Sequence, residues 1–308
     1  MGKNVNLAVK LGNIIFKNPI LTASGTFGYG LEYQKYMDLN ELGGFIVKGL
    51  SLSEKQGNKP PRIIETPCGM LNAIGLQNVG VDKFIAEKLP YINNLNTHII
   101  ANIYGTKDEE FIEITQRLNK EEIISAIEVN VSCPNVAEGG SLFGKNPDNV
   151  FKLTSSIKQN TDKPVIVKLT PNVTDITLIA QAAKDAKADA VSLINTITGM
   201  VIDTKTKKPY LDNKTGGLSG AAIYPVGVRM VYEVFENVDI PIIGVGGIYN
   251  ADVALQYIMA GASLIEIGSA NFTQPDISID IIKGIRRYLA DENIESVSNL
   301  VGIAHSSG

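Results

Sequence analysis

Hydrophobic residues follow two alternating patterns along the chain. Short runs rich in Val, Ile and Leu are almost continuously apolar, which is typical of parallel strands buried on both faces. These runs predict strands at Ile20–Ser24, Gly44–Lys48, Ile99–Tyr104, Ala126–Ser132, Val165–Thr170, Ala190–Asn195, Ile240–Gly246 and Ser263–Gly268. Segments with helical periodicity lie between them and predict helices at Val81–Leu89, Glu109–Asn119, Asp148–Gln159, Asp175–Lys187, Ala221–Phe235, Ala251–Ala260 and Ile277–Leu289.

This alternation predicts an α/β protein whose strand–helix units close into a (β/α)8 TIM barrel. A doubly wound sheet is the alternative fold. No composition shift divides the chain, so we expect a single domain over residues 1–308. The segment Val5–Phe16 predicts a short N-terminal β-hairpin. The segments Ser51–Gly80 and Thr196–Gly220 are too long for ordinary turns and predict long loops at the C-terminal face, where barrels build their sites.

Composition and charge exclude several classes of protein. Hydrophobic residues make up 44% of the chain, which is enough for a large core, and the net charge of −4 argues against a nucleic-acid partner. The two cysteines, Cys68 and Cys133, cannot supply a disulfide framework or the four ligands of an iron–sulfur cluster. His98 and His305 share no metal-ligand spacing, so we expect no metal site.

The N-terminus lacks the apolar core of a signal peptide, and no stretch of about eighteen apolar residues predicts a membrane span. We therefore expect a cytoplasmic protein that makes no contact with a membrane.

Polar residues collect where the predicted strands end. In a barrel these ends share one rim, which is where catalytic groups lie. The side chains placed there are Lys48, Asn102, Asn130, Cys133, Asn135, Lys168 and Asn195.

Glycines follow the last two predicted strands. Gly246 and Gly247 follow the seventh, and Gly268 and Ser269 follow the eighth. Loops at these two positions often bind a phosphate through backbone N–H groups, so we expect a phosphate site there. The alternative is that the glycines only form tight turns.

The lysines and the rim cysteine leave several chemistries open. Lys48 and Lys168 each close an apolar run, so either could form a Schiff base or neutralise an anionic ligand. Cys133 lies in a Ser-Cys-Pro-Asn turn and could act as a nucleophile or general base, or remain an inert buried thiol. Cys68 is interpreted as structural or incidental.

The asparagines indicate the shape of the ligand. Asn72, Asn130, Asn135 and Asn195 each offer a paired donor and acceptor, which suits a planar ring with amide and carbonyl edges. Together with one cysteine they suggest a uracil-like ligand.

Several motifs, in this order and spacing, resemble class 1 dihydroorotate dehydrogenases over essentially the whole chain. They are Asn72-Ala-Ile-Gly-Leu76, Asn130-Val-Ser-Cys-Pro-Asn135, Val167-Lys-Leu-Thr-Pro-Asn172, Gly216-Gly-Leu-Ser-Gly220 and Ile243-Gly-Val-Gly-Gly247. Three others are similar to the 1B form, the catalytic subunit of an NAD-linked enzyme. They are Asn172-Val-Thr-Asp175, Asn195-Thr-Ile-Thr-Gly-Met200 and Gly217-Leu-Ser-Gly220.

The resemblance implies oxidation of dihydroorotate to orotate in pyrimidine (UMP) biosynthesis, with Cys133 as the general base and one FMN per chain accepting hydride. The positions that match FMN-binding residues of the family are Ser24, Lys48, Gly49, Asn102, Asn130, Lys168, Ile194, Gly220, Gly246, Gly247, Gly268 and Ser269. Those that match substrate-binding residues are Lys48, Asn72, Ala73, Ile74, Gly75, Leu76, Asn130, Asn135, Asn195 and Thr196. The glycine-containing segment Val136–Lys145 predicts a mobile lid.

The resemblance also implies a partner subunit that carries FAD and a [2Fe–2S] cluster and passes electrons to NAD+. It implies a heterotetramer of two catalytic and two electron-transfer chains, with a homodimer of this chain inside it. Three alternatives remain: a stand-alone enzyme that reduces fumarate, a Schiff-base barrel lyase or aldolase, and a non-catalytic flavin-binding subunit. Intact Lys48, Asn130, Cys133 and Lys168 argue against the last of these.

Overall fold

The computed structural model describes residues 5–132 and 143–306. Within them, eight parallel strands close into a barrel in sequence order, because the last strand pairs with the first. The strands are β1 (Ile20–Thr22), β2 (Gly44–Ile46), β3 (His98–Ile103), β4 (Ile124–Asn130), β5 (Val165–Lys168), β6 (Ala190–Leu193), β7 (Ile242–Val245) and β8 (Leu264–Ile267). The predicted TIM barrel is therefore confirmed, and the doubly wound alternative is wrong.

Helices follow most barrel strands and cover the outside of the barrel. They span Asp108–Asn119, Pro147–Lys158, Ile176–Asp185, Tyr224–Asn237, Ala251–Met259 and Ile277–Asp291, with a short helix at Ala270–Thr273. Side-chain caps begin several of them: Asp175 accepts a hydrogen bond from the Thr177 N–H, and Asn250 accepts one from the Val253 N–H.

The predicted helix Val81–Leu89 is not one regular helix. It consists of an α-turn at Val81–Lys83, a π-helical turn at Phe84–Lys88 and a 3-10 turn at Leu89–Tyr91. Pro90 lies in the last turn and has no N–H to continue the helical hydrogen bonds. Another 3-10 turn, Ala221–Ile223, precedes the helix that we expected to begin at Ala221. Further 3-10 turns lie at Leu31–Tyr33, Leu39–Glu41, Phe143–Lys145, Val297–Leu300 and Ile303–His305.

The N-terminal hairpin covers the end of the barrel opposite the rim. Its strands, Val9–Leu11 and Ile14–Phe16, pair antiparallel, and in each strand the two outer residues are buried and the middle residue is exposed. His98, the first residue of β3, makes a 3.0 Å hydrogen bond between its Nε2 and the Ile15 carbonyl. The predicted hairpin is thereby confirmed.

The two long loops are not separate loops, because they combine into one antiparallel sheet. Its four strands lie in the order Ile197–Gly199, Gly216–Ser219, Gly69–Asn72 and Ile63–Thr66. The loops follow β6 and β2, so the sheet stands at the carboxyl end of the barrel, and we call it the mouth sheet. A small hairpin, Ile202–Asp203 with Lys208–Pro209, extends from the second loop.

The barrel is filled mainly by branched aliphatic side chains, as parallel strands covered on both faces require. Ile46, Ile100, Ile166 and Ile243 are all fully buried. No helix within residues 5–132 and 143–306 has the length and apolar character needed to cross a bilayer. The single-domain organisation over residues 1–308 stays a prediction.

Candidate active site

The carboxyl end of the barrel brings together polar residues from neighbouring strands. Asn130 ends β4 and lies opposite Lys168, which ends β5. Asn195 follows β6, and its Nδ2 donates a 3.4 Å hydrogen bond to the Asn130 Oδ1. Three residues chosen from the sequence therefore lie side by side at the rim.

Lys168 is anchored from inside the barrel. Its Nζ lies 2.7 Å from the Glu266 Oε2 and 3.2 Å from the Glu128 Oε1, and only 5% of the residue is exposed. Burial acts to lower the pKa of Lys168, but the two carboxyl groups outweigh it and raise the pKa above its ordinary value. Lys168 is therefore a fixed cation.

Lys48 is a second cation at the rim and is less firmly paired. It follows β2 and is partly buried. Burial, followed by repulsion from Arg62, lowers its pKa. Within the part of the chain that the structure describes, no carboxylate forms an ion pair with it, so its ammonium is suited to an anionic ligand. Gly49, next to it, lies against Asn102: a Cβ there would be 2.8 Å from the Asn102 Oδ1.

Glycine backbone lines the rim after β7. Gly246 has φ +118° and Gly247 has φ +69°, conformations that favour glycine. A Cβ on Gly247 would lie 2.7 Å from both the Gly220 carbonyl oxygen and the Tyr224 N–H nitrogen. The Tyr257 hydroxyl donates a 2.6 Å hydrogen bond to the Gly246 carbonyl and holds this turn from below. We call Gly220, Gly246 and Gly247 the glycine cradle.

Two other residues expected near a phosphate follow the neighbouring strand. Gly268 and Ser269 come directly after β8 and are partly exposed. Because β7 and β8 pair in parallel, these residues emerge beside the glycine cradle.

The segment Asn72–Leu76 begins at the last residue of the mouth-sheet strand Gly69–Asn72 and is partly buried. Gly75 has φ +74°, and Leu76 adopts φ +57°, which is uncommon for a residue with a side chain. The Asn78 Nδ2 donates a 2.8 Å hydrogen bond to the Leu76 carbonyl, and the Asn58 Nδ2 donates one of 3.0 Å to the Ala73 carbonyl. The segment is therefore held in one conformation, with Ile74 inside it.

The mouth sheet joins this segment to Asn195 and Thr196. Asn72 lies opposite Gly217 in the sheet and donates a 3.4 Å hydrogen bond to its carbonyl. A Cβ on Gly217 would meet the Thr196 Oγ1, so the Thr196 side chain packs directly on this glycine. Asn172 fixes the position of Thr196 by a 3.0 Å hydrogen bond from its Nδ2 to the Thr196 carbonyl.

The remaining predicted residues have different placements. Ser24 follows β1 and is partly exposed, whereas Ile194 is only 1% exposed and packs beneath Gly246. Cys133 and Asn135 lie outside the described residues, as does the predicted lid except for its last three residues. Cys68 is exposed in a turn of the mouth sheet.

Sequence reasoning missed the residues that support the site from behind. Glu128, Glu266 and Ser192 face the barrel interior and contact Lys168 or one another. A signal was present, because Glu128 and Glu266 interrupt apolar strands that otherwise contain no charge. Arg62 was also missed, and nothing in its local sequence marks it. Asn172 was not counted as a site residue, although it belongs to two of the family motifs and follows the fifth predicted strand.

The arrangement can bind a planar polar ring and an anionic group together. Amides of Asn72, Asn130 and Asn195 offer donors and acceptors, two lysines supply positive charge, and the glycine cradle exposes backbone. No group of three or more potential metal ligands occurs within the described ranges.

Comparisons with known proteins agree with this geometry. A family model described as dihydroorotate dehydrogenase matches residues 6–289. A "Dihydroorotate dehydrogenase B (NAD(+)), catalytic subunit" of Geobacter sp. (strain M21) is 52% identical over 297 residues, which are 96% of this chain and 97% of that protein. Proteins with the same description from Thermodesulfovibrio yellowstonii and Geotalea uraniireducens are 52% and 50% identical, over 96% and 98% of this chain and 98% and 99% of their own lengths. The chain therefore belongs to the dihydroorotate dehydrogenase family.

Proposed function

We propose that this chain oxidises dihydroorotate to orotate in UMP biosynthesis, as the catalytic subunit of an NAD+-linked enzyme. The observation that carries the proposal is the placement of Asn130, Lys168 and Asn195 on three neighbouring strands at the end where the glycine cradle opens. Relatives that are about half identical over nearly their whole length carry that activity in their names.

The residues present fit an FMN. Its phosphate suits the glycine cradle with Gly268 and Ser269, because a Cβ on Gly247 would fill the space that backbone donors need. Lys168 would supply positive charge near the isoalloxazine ring. The other proposed contacts are Ser24, Lys48, Gly49, Asn102, Asn130 and Ile194. Bound FMN supplies the two-electron acceptor for a hydride.

The substrate is proposed to bind between the barrel rim and the mouth sheet. Amides of Asn72, Asn130, Asn135 and Asn195, with Thr196, would hold the polar ring edges. Lys48 and the backbone of residues 73–76 would hold the carboxylate, since Lys48 has no carboxylate partner among the described residues.

Cys133 is proposed as the general base, on the strength of the family resemblance. It would take a proton from one ring carbon while the neighbouring carbon loses its hydride. The segment after it, residues 136–145, is proposed to exclude water during this step.

Electrons are proposed to leave through a partner subunit with FAD and a [2Fe–2S] cluster, in an assembly of two catalytic and two electron-transfer chains built on a homodimer of this chain. This chain has two cysteines, so such a cluster needs ligands from elsewhere. A cytoplasmic location fits this assignment. The fumarate-reducing alternative is tested by assaying the isolated chain with fumarate.

The test uses FMN-loaded protein mixed anaerobically with dihydroorotate, followed by flavin absorbance. We expect the wild-type flavin to be reduced, and Cys133→Ala to slow reduction by about 10²–10⁴-fold, which is the usual contribution of a general base. Cys68→Ala is the matched control, because it removes the other cysteine, and it should reduce like wild type.

Two results would contradict the proposal. Near-wild-type reduction in Cys133→Ala would remove that residue from the base role. Failure of wild-type protein to bind FMN, or to reduce it with dihydroorotate, would contradict the proposed activity itself. Trapping of a substrate on Lys48 or Lys168 by borohydride would instead support the Schiff-base alternative.

A further inference from the structure

The barrel interior beneath Lys168 holds more carboxyl groups than one ammonium can neutralise. Glu128 on β4 and Glu266 on β8 both reach the Lys168 Nζ, and both are fully buried. If both carboxyl groups and the ammonium were ionised, the two negative charges would exceed the one positive charge. The cluster would then carry a net negative charge away from water. An uncompensated buried charge is strongly unfavourable.

The two carboxyl groups have unequal surroundings. Glu128 Oε1 accepts a 2.8 Å hydrogen bond from the Ser192 hydroxyl in addition to Lys168, and its Oε2 accepts one of 2.5 Å from the Asn102 amide. Among the residues that the structure describes, only Lys168 donates to Glu266, through Oε2. Within the described part of the chain, no donor reaches its buried Oε1. Donors therefore surround the Glu128 carboxyl and stabilise its anionic form, whereas the surroundings of Glu266 favour a neutral acid.

The two carboxyl groups are neighbours, because both contact the same Lys168 ammonium. Two acids that share one site cannot both ionise freely, so a proton on one of them stabilises the pair. Burial, followed by repulsion from Glu128, raises the pKa of Glu266 well above its ordinary value. Burial acts in the same direction on Glu128, but Lys168 and the hydrogen bonds to it outweigh burial and lower its pKa. Both directions agree with the geometry.

We propose that Glu266 is a neutral carboxylic acid that donates its proton to Glu128, so that the pair presents a single negative charge to Lys168. The pair is a positioning unit, because it holds the ammonium toward the rim and balances its charge without leaving a surplus negative charge beneath it. That consequence rests on the proposed function, which places Lys168 beside the flavin. A second negative charge there would oppose the negative charge that a reduced flavin gains.

The decisive variant is Glu266→Gln in FMN-loaded protein. A glutamine is neutral, has nearly the same shape and can donate to Glu128 as the acid does. We therefore expect the equilibrium between oxidised and reduced flavin, measured by redox titration, to change less than threefold. An ionised Glu266 would give a different result: its removal would favour reduced flavin by tenfold or more, which is about 30 mV for a two-electron couple. That outcome would overturn the proposal.

The double variant Glu128→Gln/Glu266→Gln shows whether the flavin senses the cluster. It removes the single negative charge, so we expect at least a tenfold shift toward reduced flavin. Glu128→Gln alone should shift the equilibrium between oxidised and reduced flavin less, because Glu266 then ionises beside Lys168 and replaces the lost charge. A double variant that titrates like wild type would overturn the proposed effect on the flavin.

Infrared spectroscopy of the flavin-free protein tests the proton separately. We expect the carbonyl band of a buried carboxylic acid at neutral pH, absent in Glu266→Gln. Absence of that band in wild type overturns the proposal, even if the glutamine variants fail to fold. Because this measurement needs neither FMN nor dihydroorotate, its failure is distinguishable from failure of the proposed function, which would appear as a chain that binds no flavin.

Discussion

The substitution Gly247→Ala tests whether the glycine cradle binds the flavin phosphate. Gly247 has φ +69°, and its added Cβ would lie 2.7 Å from the Gly220 carbonyl oxygen and from the Tyr224 nitrogen. Both atoms belong to the backbone, so the turn itself must move. Gly12→Ala is the matched control, because Gly12 has φ +60° in the N-terminal hairpin, away from the rim, and its added Cβ would lie no closer than 3.8 Å to the Pro164 Cγ.

The two variants share one energetic term and differ in another. A left-handed conformation costs an alanine about 1–2 kcal/mol, and this cost applies to both. Only Gly247→Ala also displaces the backbone of the cradle. A further loss of about 1.4–2.8 kcal/mol in flavin binding corresponds to a 10–100-fold weaker affinity.

The assay is FMN titration of the flavin-free protein, with thermal unfolding measured in parallel. Gly12→Ala should lower the melting temperature by a few degrees and leave the FMN dissociation constant within about threefold of wild type. Gly247→Ala should weaken FMN by 10–100-fold. If both variants bind FMN equally well, the cradle does not bind the phosphate.

Two further predictions concern groups that surround the site. Tyr257→Phe removes the 2.6 Å hydrogen bond to the Gly246 carbonyl, so the free energy of unfolding measured with urea should fall by about 1 kcal/mol. FMN affinity should fall severalfold. An unchanged free energy of unfolding would show that the hydroxyl does not stabilise the turn. Burial and then repulsion from Arg62 lower the pKa of Lys48 below the ordinary lysine value of about 10.4. Lys48 is charged near neutral pH, so orotate should bind at full strength there. Binding should weaken as the pH rises through the lowered pKa. The Lys48→Met variant should bind weakly and lose this pH dependence in calorimetric titration, and a wild-type-like profile in that variant would exclude Lys48 as the carboxylate partner.

The barrel could be predicted from the sequence because most positions of each strand are apolar on both faces. The run Ile242–Val245, for example, is buried throughout and contains no polar residue. Rim residues such as Lys168 were also predictable, since the last residue of a parallel strand must emerge at one end. The positions of the strands along the chain and of their last residues at the rim are thus both local properties of the sequence.

The mouth sheet could not be predicted in the same way. Gly216–Ser219 contains two glycines and has no alternating pattern, so its own sequence does not favour a strand. It becomes one because it pairs with Gly69–Asn72 on one side and Ile197–Gly199 on the other. Likewise, each buried glutamate was visible in the sequence, but barrel closure alone places Glu128 beside Glu266.

The mouth sheet has a consequence for the order in which the binding site can assemble during synthesis. Two of its strands come from the segment after β2 and two from the segment after β6, and Gly217 links Asn72 to Thr196. A nascent chain that has completed only its first four barrel strands therefore lacks half of this wall. The proposed substrate site is therefore complete only after Ser219 has left the ribosome.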